Sequence, residues 1–167
     1  MKFKSLSVLL LLSLGLATAS ATNFQWTNTL GGSWHNPANW SPAFVPGAGD
    51  KAFITNAGTY TVTMTNAVAC ASFDLGGGGG TPTLIVDNGV ALSLTNLGSV
   101  FSGGVLVASN CSIAGRLTIQ PGGQLQFDGS GTKTIYSLNL TNLGTVVWSG
   151  GTIQFGSQPI TDRKSVV

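Results

Sequence analysis

Charged residues are scarce in this chain of 167 residues, and glutamate is absent altogether. Lysine and arginine total seven, aspartate totals five, and there is one histidine, His35. Between Thr22 and Thr161, three basic residues against four aspartates leave a net charge of −1. Because a phosphate backbone is held by several Lys or Arg contacts, nucleic acid is not expected as a partner.

Groups able to carry catalysis are just as few. His35 has no second histidine to work with, and the nearest acid in sequence is Asp50, whereas an activated nucleophile needs a base and an orienting group. Zinc takes three or four ligands, and glycoside hydrolysis takes two carboxylates. The aspartates are scattered among predicted turns, at Asp50, Asp74, Asp87 and Asp128. We therefore expect no enzyme, no metal and no cofactor, with calcium at Asp50 and backbone carbonyls as an open alternative.

The first 21 residues, MKFKSLSVLLLLSLGLATASA, have the pattern of a secretory signal peptide. Lys2 and Lys4 precede an apolar run over 9–16, and Ala19-Ser20-Ala21 fits a cleavage site of small residues. The run is shorter than the ~20 residues of a membrane span, and no second run follows. We expect residues 1–21 to be removed and the mature chain to be secreted or at the cell surface, without a membrane span.

No segment of 11 or more residues after the leader keeps a helical stripe of apolar residues. Short runs instead place an apolar residue at every second position, and Gly, Asn, Asp or Pro separates them. The runs are TYTVTM (59–64), TLIV (83–86), VALSL (90–94), GVLVA (104–108), RLTI (116–119), QLQF (124–127), SLNL (137–140), TVVW (145–148) and TIQF (152–155). Alternation of this kind predicts an all-β protein.

An internal repeat predicts how the strands are arranged. LSLTNLGSVFSGG (92–104) returns as LNLTNLGTVVWSGG (138–151), with the matching residues 46 positions apart. A repeat of this length indicates stacked units, here two coils of about 23 residues with three short strands each. On this register Leu94 and Leu140 are equivalent interior residues.

A second similarity leaves an alternative open. LIVDNGVALSL (84–94) matches LTIQPGGQLQF (117–127) at an offset of 33, either because strands on different faces of irregular coils resemble each other or because both segments are hairpins. Asn88-Gly89 is a preferred pair for a type I′ hairpin turn. We predict a single-stranded parallel β-helix, a β-solenoid, with Asn96 and Asn142 at equivalent corners; an antiparallel β-sandwich is the alternative.

Three tryptophans, Trp26, Trp34 and Trp40, lie close together near the start of the mature chain. We predict that they cap the first coil, hiding the core and blocking association of strand edges. The alternative is a carbohydrate-binding module in which the same rings are exposed and stack on sugars. His35, between two of these tryptophans, is interpreted as part of the cap.

The chain divides into segments on the same reasoning. Residues 22–75 are expected to hold the N-terminal cap and the first strands, 76–82 a glycine-rich loop, and 83–161 the coils. The five glycines of the loop are not a phosphate-binding loop, because the Gly-Lys-Ser/Thr ending and the following helix are missing.

Two cysteines, Cys70 and Cys111, are 41 residues apart. An even count in an exported protein is typical of a disulfide, but a bridge requires Cα atoms within about 7 Å, and this spacing falls short of two coils. Cysteine is also a common small buried residue. We predict two separate buried thiols.

The opening FQWTNTLGGSWHNPANWSPAFVPGAGDKAFIT, followed by TYTVTM and by repeats rich in Leu and Gly, resembles the start of large secreted bacterial β-helical proteins. These are autotransporter passengers and proteins with autotransporter-associated β-strand repeats. The resemblance implies an architectural and often adhesive role at the cell surface, toward a surface glycan or a neighbouring or host cell. It carries no catalytic residues.

The last six residues, DRKSVV (162–167), differ in character from the uncharged repeat before them. They equal the translation of one reading frame of a common short-read sequencing adaptor. We predict that 162–167 are not native and that the natural protein continues with further coils; a natural basic C-terminus is the alternative.

Overall fold

The computed structural model describes residues 20–156 and 160–162, which form seventeen short strands. The strands are β1 (Asn23–Trp26), β2 (Gly32–Ser33), β3 (Trp40–Ser41), β4 (Lys51–Ile54), β5 (Thr61–Met64), β6 (Val68–Cys70), β7 (Ser72–Leu75), β8 (Thr83–Val86), β9 (Val90–Val100), β10 (Val105–Ala108), β11 (Cys111–Ile119), β12 (Gln124–Phe127), β13 (Thr132–Ile135), β14 (Leu138–Asn142), β15 (Thr145–Trp148), β16 (Thr152–Phe155) and β17 (Ile160–Asp162). The helical structure in these ranges is one 3₁₀ turn, Pro37–Asn39.

The strands form two sheets wound around one core. Sheet B contains β2, β5, β8, β10, β12 and β15, stacked in that order, and sheet A contains the other eleven. Within the described ranges every strand pair is parallel except β1 with β3. The chain is therefore a parallel β-solenoid of about five turns, as predicted, and the antiparallel sandwich is wrong.

Each coil has three sides. Sheet A bends, so that the long strand β9 pairs through its first part with β6 and through its last part with β7. In the same way β11 pairs with both β13 and β14. Sheet B supplies the third side, which gives the three short strands per coil that the sequence predicts.

Alternation along the strands builds the core. In sheet B, Val62, Leu84, Leu106 and Leu125 pair in register and are all fully buried, so each apolar side chain packs on the one above it. Neighbouring strands lie about 4.8 Å apart, which brings these branched side chains into direct contact. Period-two sequences fold this way because the apolar set then faces the core on every coil.

The two-coil register of 46 residues is wrong. Leu117 pairs with Leu140 on one side and with Gly98 on the other, so Leu140 lies two coils above Gly98 rather than above Leu94. Leu94 instead pairs with Cys70. Both leucines are buried, but they belong to different columns of sheet A.

A β-bulge in sheet A accounts for part of the shift. Between its pairs at Ala114 and Arg116, β11 has the single residue Gly115 opposite the three residues 94–96 of β9. Gly115 has φ +106°, in the left-handed region, which glycine adopts without strain. Successive coils along sheet B contain 22, 22, 19 and 21 residues, because Thr61, Thr83, Val105, Gln124 and Thr145 lie in one column.

The two asparagines of the repeat are also not equivalent. Asn96 is exposed, and its N–H donates to the carbonyl oxygen of Ala71, 2.7 Å away. Asn142 is buried, and its side chain accepts from the N–H of Gly144 at 3.1 Å. The predicted asparagine corner is therefore wrong.

The offset of 33 residues reflects strands on different sides of the coil. Leu84 belongs to sheet B, whereas Leu117, its counterpart in the similarity, belongs to sheet A. Asn88 and Gly89 have φ of 59° and 77°, the two positive values that a type I′ turn requires. The turn joins β8 of one sheet to β9 of the other, so it forms a corner of the solenoid and not a hairpin.

The glycine-rich run at residues 76–80 is also a corner. It connects β7 to β8, as Gly103-Gly104 connects β9 to β10 one coil later. A Cβ added at Gly78 would collide with the carbonyl oxygen of Thr55, and one at Gly104 with that of Leu75. Close stacking of backbones excludes side chains here. Parallel pairing already joins β4 to β7 and β5 to β8, so coil stacking begins before residue 83.

The predictions for the two ends of the sequence concern residues that lie largely outside the described ranges. Residues 1–19 of the predicted leader lie outside them. Of the six residues predicted to be non-native, Asp162 ends β17 and pairs with Asn142. Residues 163–167 lie outside the described ranges.

Candidate functional site

The three tryptophans form one buried aromatic cluster at the N-terminal end of the solenoid. Trp40 packs edge-on against Trp26, with ring centroids 5.1 Å apart, and against Trp34 at 4.7 Å. The exposed fraction of each ring is 2% or less. β3, which carries Trp40, is the terminal strand of sheet A and runs antiparallel to β1. The cluster therefore covers the end of the core, which is the role of a cap.

Hydrogen bonds hold the cluster in place. The Trp40 indole N–H donates to the carbonyl oxygen of Trp34 at 2.7 Å, and the Trp26 indole N–H donates to that of Asn28 at 2.6 Å. The Trp34 indole nitrogen is buried without a partner. Stacking on a sugar requires an exposed ring face, and none of the three rings has one. The geometry thus gives these residues no surface for binding a carbohydrate.

His35 lies beside this cluster and contacts backbone. Its Nε2 accepts from the N–H of Asn66 at 3.2 Å and lies 3.1 Å from the carbonyl oxygen of the same residue. These contacts connect the loop after β2 to the loop after β5, one coil later. No carboxylate or hydroxyl is among the hydrogen-bond partners of the ring. The imidazole links two turns of the solenoid.

Asp50 likewise has structural partners. One carboxylate oxygen accepts from the N–H of Thr22 and the other from the N–H of Gly47, both at 2.9 Å. Both oxygens face N–H donors, an arrangement that suits a fixed anion in a turn and not a calcium ligand set. In the described ranges no three His, Cys, Asp or Glu side chains are grouped closely enough to hold a metal ion.

The remaining acids are separated from one another. Asp74 forms an ion pair with Lys51 at 2.8 Å on the outside of sheet A. Asp87 accepts from the N–H of Asn110 at 3.1 Å at a corner. At the same corner two coils later, hydrogen bonds from the Gly129 N–H and the Ser149 hydroxyl hold the pKa of Asp128 below its usual range. Each carboxylate thus stabilises a turn or a strand pair.

Lys133 occupies an inward position that sequence reasoning missed. Its side chain is fully buried, and its ammonium group donates to the carbonyl oxygens of Gly129, Gly131 and Gly150 at 2.8, 3.0 and 2.8 Å. These carbonyls belong to two successive corners, so the lysine fastens one coil to the next. The signal for burial was the alternation itself, because Lys133 lies two residues before the buried Ile135.

Both cysteines are buried free thiols, as predicted. Burial, with a smaller contribution from the Asp50 carboxylate, raises the pKa of Cys70 to about 12. Burial and the Asp87 carboxylate raise the pKa of Cys111 to about 11. A thiol held neutral in this way is a poor nucleophile.

A shallow depression lies at the glycine-rich corner. It has a volume of about 410 Å³ and is lined by Thr55, Gly76, Gly77, Gly78 and Phe101. None of these side chains titrates near neutral pH, and only Phe101 and Thr55 extend beyond backbone atoms. The lining therefore offers no group for acid–base or nucleophilic chemistry.

The outward side of sheet B is a surface that the sequence analysis did not single out. Its side chains, here named the B face, are Thr61, Thr63, Thr83, Ile85, Val105, Val107, Gln124, Gln126, Thr145 and Val147. They alternate with the buried residues of the same strands and carry no charge. The alternation could have predicted each of them individually, but which strands form one sheet came only from the structure.

The chain matches no family model, no curated protein and no solved structure. In the described part of the chain, no helix has the length and apolarity needed to cross a membrane. The fold and these sites define a parallel β-solenoid with an aromatic cap, an uncharged outward face on sheet B and polar side chains that form hydrogen bonds at its corners.

Proposed function

We propose that this chain is an exported structural and adhesive β-solenoid segment of a larger secreted or cell-surface bacterial protein, and that it performs no catalysis. The observation that carries the proposal is the unbroken parallel stack around one core, closed at its N-terminal end by the tryptophan cluster. Such a stack provides a stiff body with repeating faces, since each coil contacts only its neighbours.

The disposition of the polar groups supports this role. His35, Asp50 and Lys133 each form a hydrogen bond with backbone in a neighbouring turn of the solenoid. Catalytic groups are held free to meet a substrate, whereas these groups are engaged in fastening coils. The predicted signal peptide and the resemblance to autotransporter-like proteins support export and a surface location.

The carbohydrate-binding alternative based on Trp26, Trp34 and Trp40 loses its support, because all three rings are buried in the cap. The role of the three rings is to cover the end of the core. An adhesive function must then lie on the outward faces of the coils.

Expression of the full chain with a C-terminal tag in a Gram-negative host tests the proposal. We expect processed protein outside the cytoplasm. Its mass should correspond to the chain without residues 1–21, and the folded chain should resist protease. Leu11→Arg, in the middle of the leader's apolar run, should keep the chain unprocessed in the cytoplasm. Unprocessed native chain in the cytoplasm would contradict the export half, and a rapidly degraded exported chain would contradict the structural half.

A further inference from the structure

Asn88 and Gly89 are the only Asn-Gly pair in the sequence. Such a pair is chemically labile in a flexible chain, because glycine has no side chain to keep its nitrogen away from the asparagine amide. In the folded chain both residues are exposed at the corner between β8 and β9. Solvent therefore reaches this pair, and its stability depends on the conformation of the corner.

The reaction of an Asn-Gly pair needs no partner other than water. The Gly89 nitrogen loses its proton and bonds to the side-chain carbonyl carbon of Asn88, and the side-chain amide nitrogen leaves as ammonia with that proton. Water then opens the resulting succinimide ring at either of its C–N bonds. The product is aspartate, or isoaspartate in which the chain continues through Cβ.

The fold holds the two reacting atoms apart. With φ of 59°, Asn88 lies in the left-handed region, where ψ is about +47°. At this ψ the Gly89 nitrogen lies nearly trans to the Asn88 Cβ across the Cα–C bond, so it points away from the carbon that it must attack. Ring closure needs roughly half a turn about that bond, because the nitrogen and Cβ must become eclipsed.

Hydrogen bonds oppose this rotation. The Gly89 N–H donates to the carbonyl oxygen of Asn110, one coil later, at 2.7 Å. The Val90 N–H closes the turn onto the carbonyl oxygen of Asp87 at 3.1 Å, and the Asp87 carboxylate accepts from the N–H of Asn110 at 3.1 Å. Rotation at Asn88 breaks the first two of these bonds. The Gly89 bond also holds the proton that the reaction must remove.

We propose that Asn88 is a site of spontaneous deamidation that the folded solenoid keeps closed and that opens when the β8–β9 corner unfolds. Isoaspartate adds one backbone atom to a turn of two residues, and either product places a second carboxylate beside Asp87. A chain that reacts while unfolded therefore refolds with a less stable corner. The inference concerns the durability of the chain and does not depend on export or adhesion.

Peptide mass spectrometry of the purified chain tests the assignment. Samples are kept at pH 8, either folded or in guanidinium chloride, and are then digested; conversion of Asn88 replaces NH by O and raises the mass of its peptide. Asn96 is the internal control, because it is exposed but precedes Leu97, whose side chain hinders ring closure. Asn88→Gly is the matched variant, since Gly-Gly also fits a type I′ turn but carries no amide.

We expect Asn88 to convert at least about tenfold more slowly in the folded chain than in the unfolded chain, because the corner must first open. Asn96 should convert slowly in both. Chain converted while unfolded should melt at a lower temperature after refolding, and Asn88→Gly treated in the same way should not. Equal rates in folded and unfolded chain, or no conversion of Asn88 in guanidinium chloride, would overturn the assignment. So would an equal loss of melting temperature in Asn88→Gly, because the damage would then lie elsewhere.

Discussion

Cys111 and Lys133 are paired residues on neighbouring parallel strands of sheet A, and both side chains point into the solenoid. Val90 continues the same column one coil earlier. The column is thus apolar until Lys133, whose stem packs inside while its ammonium group reaches the three carbonyl oxygens at the corners. A charge is tolerated in this position because every donor of the ammonium group is satisfied.

Replacing Lys133 by methionine should destabilise the fold. Met keeps much of the buried stem but removes three charge-assisted hydrogen bonds, leaving the carbonyls of Gly129, Gly131 and Gly150 without their donor. We expect the free energy of unfolding to fall by about 2–3 kcal/mol. Urea denaturation followed by circular dichroism measures it.

Thr134→Ala is the matched control on the next residue of the same strand. Thr134 faces outward and makes one long side-chain contact, 3.5 Å to Gln154, so its loss should cost less than about 0.5 kcal/mol. A methionine variant as stable as the native chain would mean that the desolvation cost of the buried ammonium group cancels its hydrogen bonds.

The sequence predicts the fold better than it predicts the register. Alternation at residues such as Leu84 and Leu106 identifies inward positions, and glycines between the runs identify corners, so the parallel solenoid could be predicted. The pairing of Leu140 with Leu117, and of Leu117 with Gly98, could not be predicted, because the number of residues per coil varies. The register of the strands follows the lengths of the turns that close each coil, and the sequence repeat does not report these lengths.

Some site residues could be predicted from the sequence and others could not. The tryptophan cap could be predicted, because the first coil of a stacked core leaves an apolar end that three large aromatic side chains can cover. The burial of Lys133 was not predicted, because a sequence does not show that three carbonyls converge on an interior position. The B face required the strand pairing, since its members are contributed by five separate segments.

Trp40→Ala should open the N-terminal cap. Trp40 contacts both other tryptophans and donates a hydrogen bond to Trp34, so its removal leaves a large cavity at the end of the core. We expect a loss of about 3–5 kcal/mol and the disappearance of the near-ultraviolet signal of the coupled indoles. Thermal unfolding and near-ultraviolet circular dichroism measure both effects.

Trp148→Ala is the control, because it makes the same substitution at a tryptophan outside the cap. Trp148 is 54% exposed, and its indole N–H donates to Gly150 and Gly151 at the surface. Its removal should cost about 1 kcal/mol or less. Equal effects of the two substitutions would show that the cluster does not cap the core.

Gly115→Ala should disrupt the bulge between β9 and β11. Gly115 has φ +106°, and a Cβ there would collide with the carbonyl oxygen of Leu94. Strain and collision together should cost about 2–4 kcal/mol in the free energy of unfolding. Gly49→Ala is the control, because a Cβ there meets nothing within 4 Å, and it should change stability by less than about 0.5 kcal/mol. If Gly115→Ala leaves the free energy of unfolding unchanged, the bulge does not lie at this residue.

The buried thiols make stability depend on alkaline pH. The pKa of Cys70 is raised to about 12 and that of Cys111 to about 11, from 9.0 in an unfolded chain. Between these values the unfolded chain loses protons that the folded chain keeps. The stabilisation is therefore fully present below pH 9 and is lost as the pH rises towards 11 and 12.

Comparing the native chain with Cys70→Ala/Cys111→Ala isolates this effect, because the two proteins differ only in the thiols. From pH 8 to pH 10 the native chain should lose roughly 1 kcal/mol per thiol relative to the variant, as measured by urea denaturation. Iodoacetamide at pH 8 should label neither thiol until the chain is unfolded, since the thiolate is the reactive form. Rapid labelling of the folded chain, or parallel pH profiles for the two proteins, would show that these thiols are accessible and ionise as in an unfolded chain.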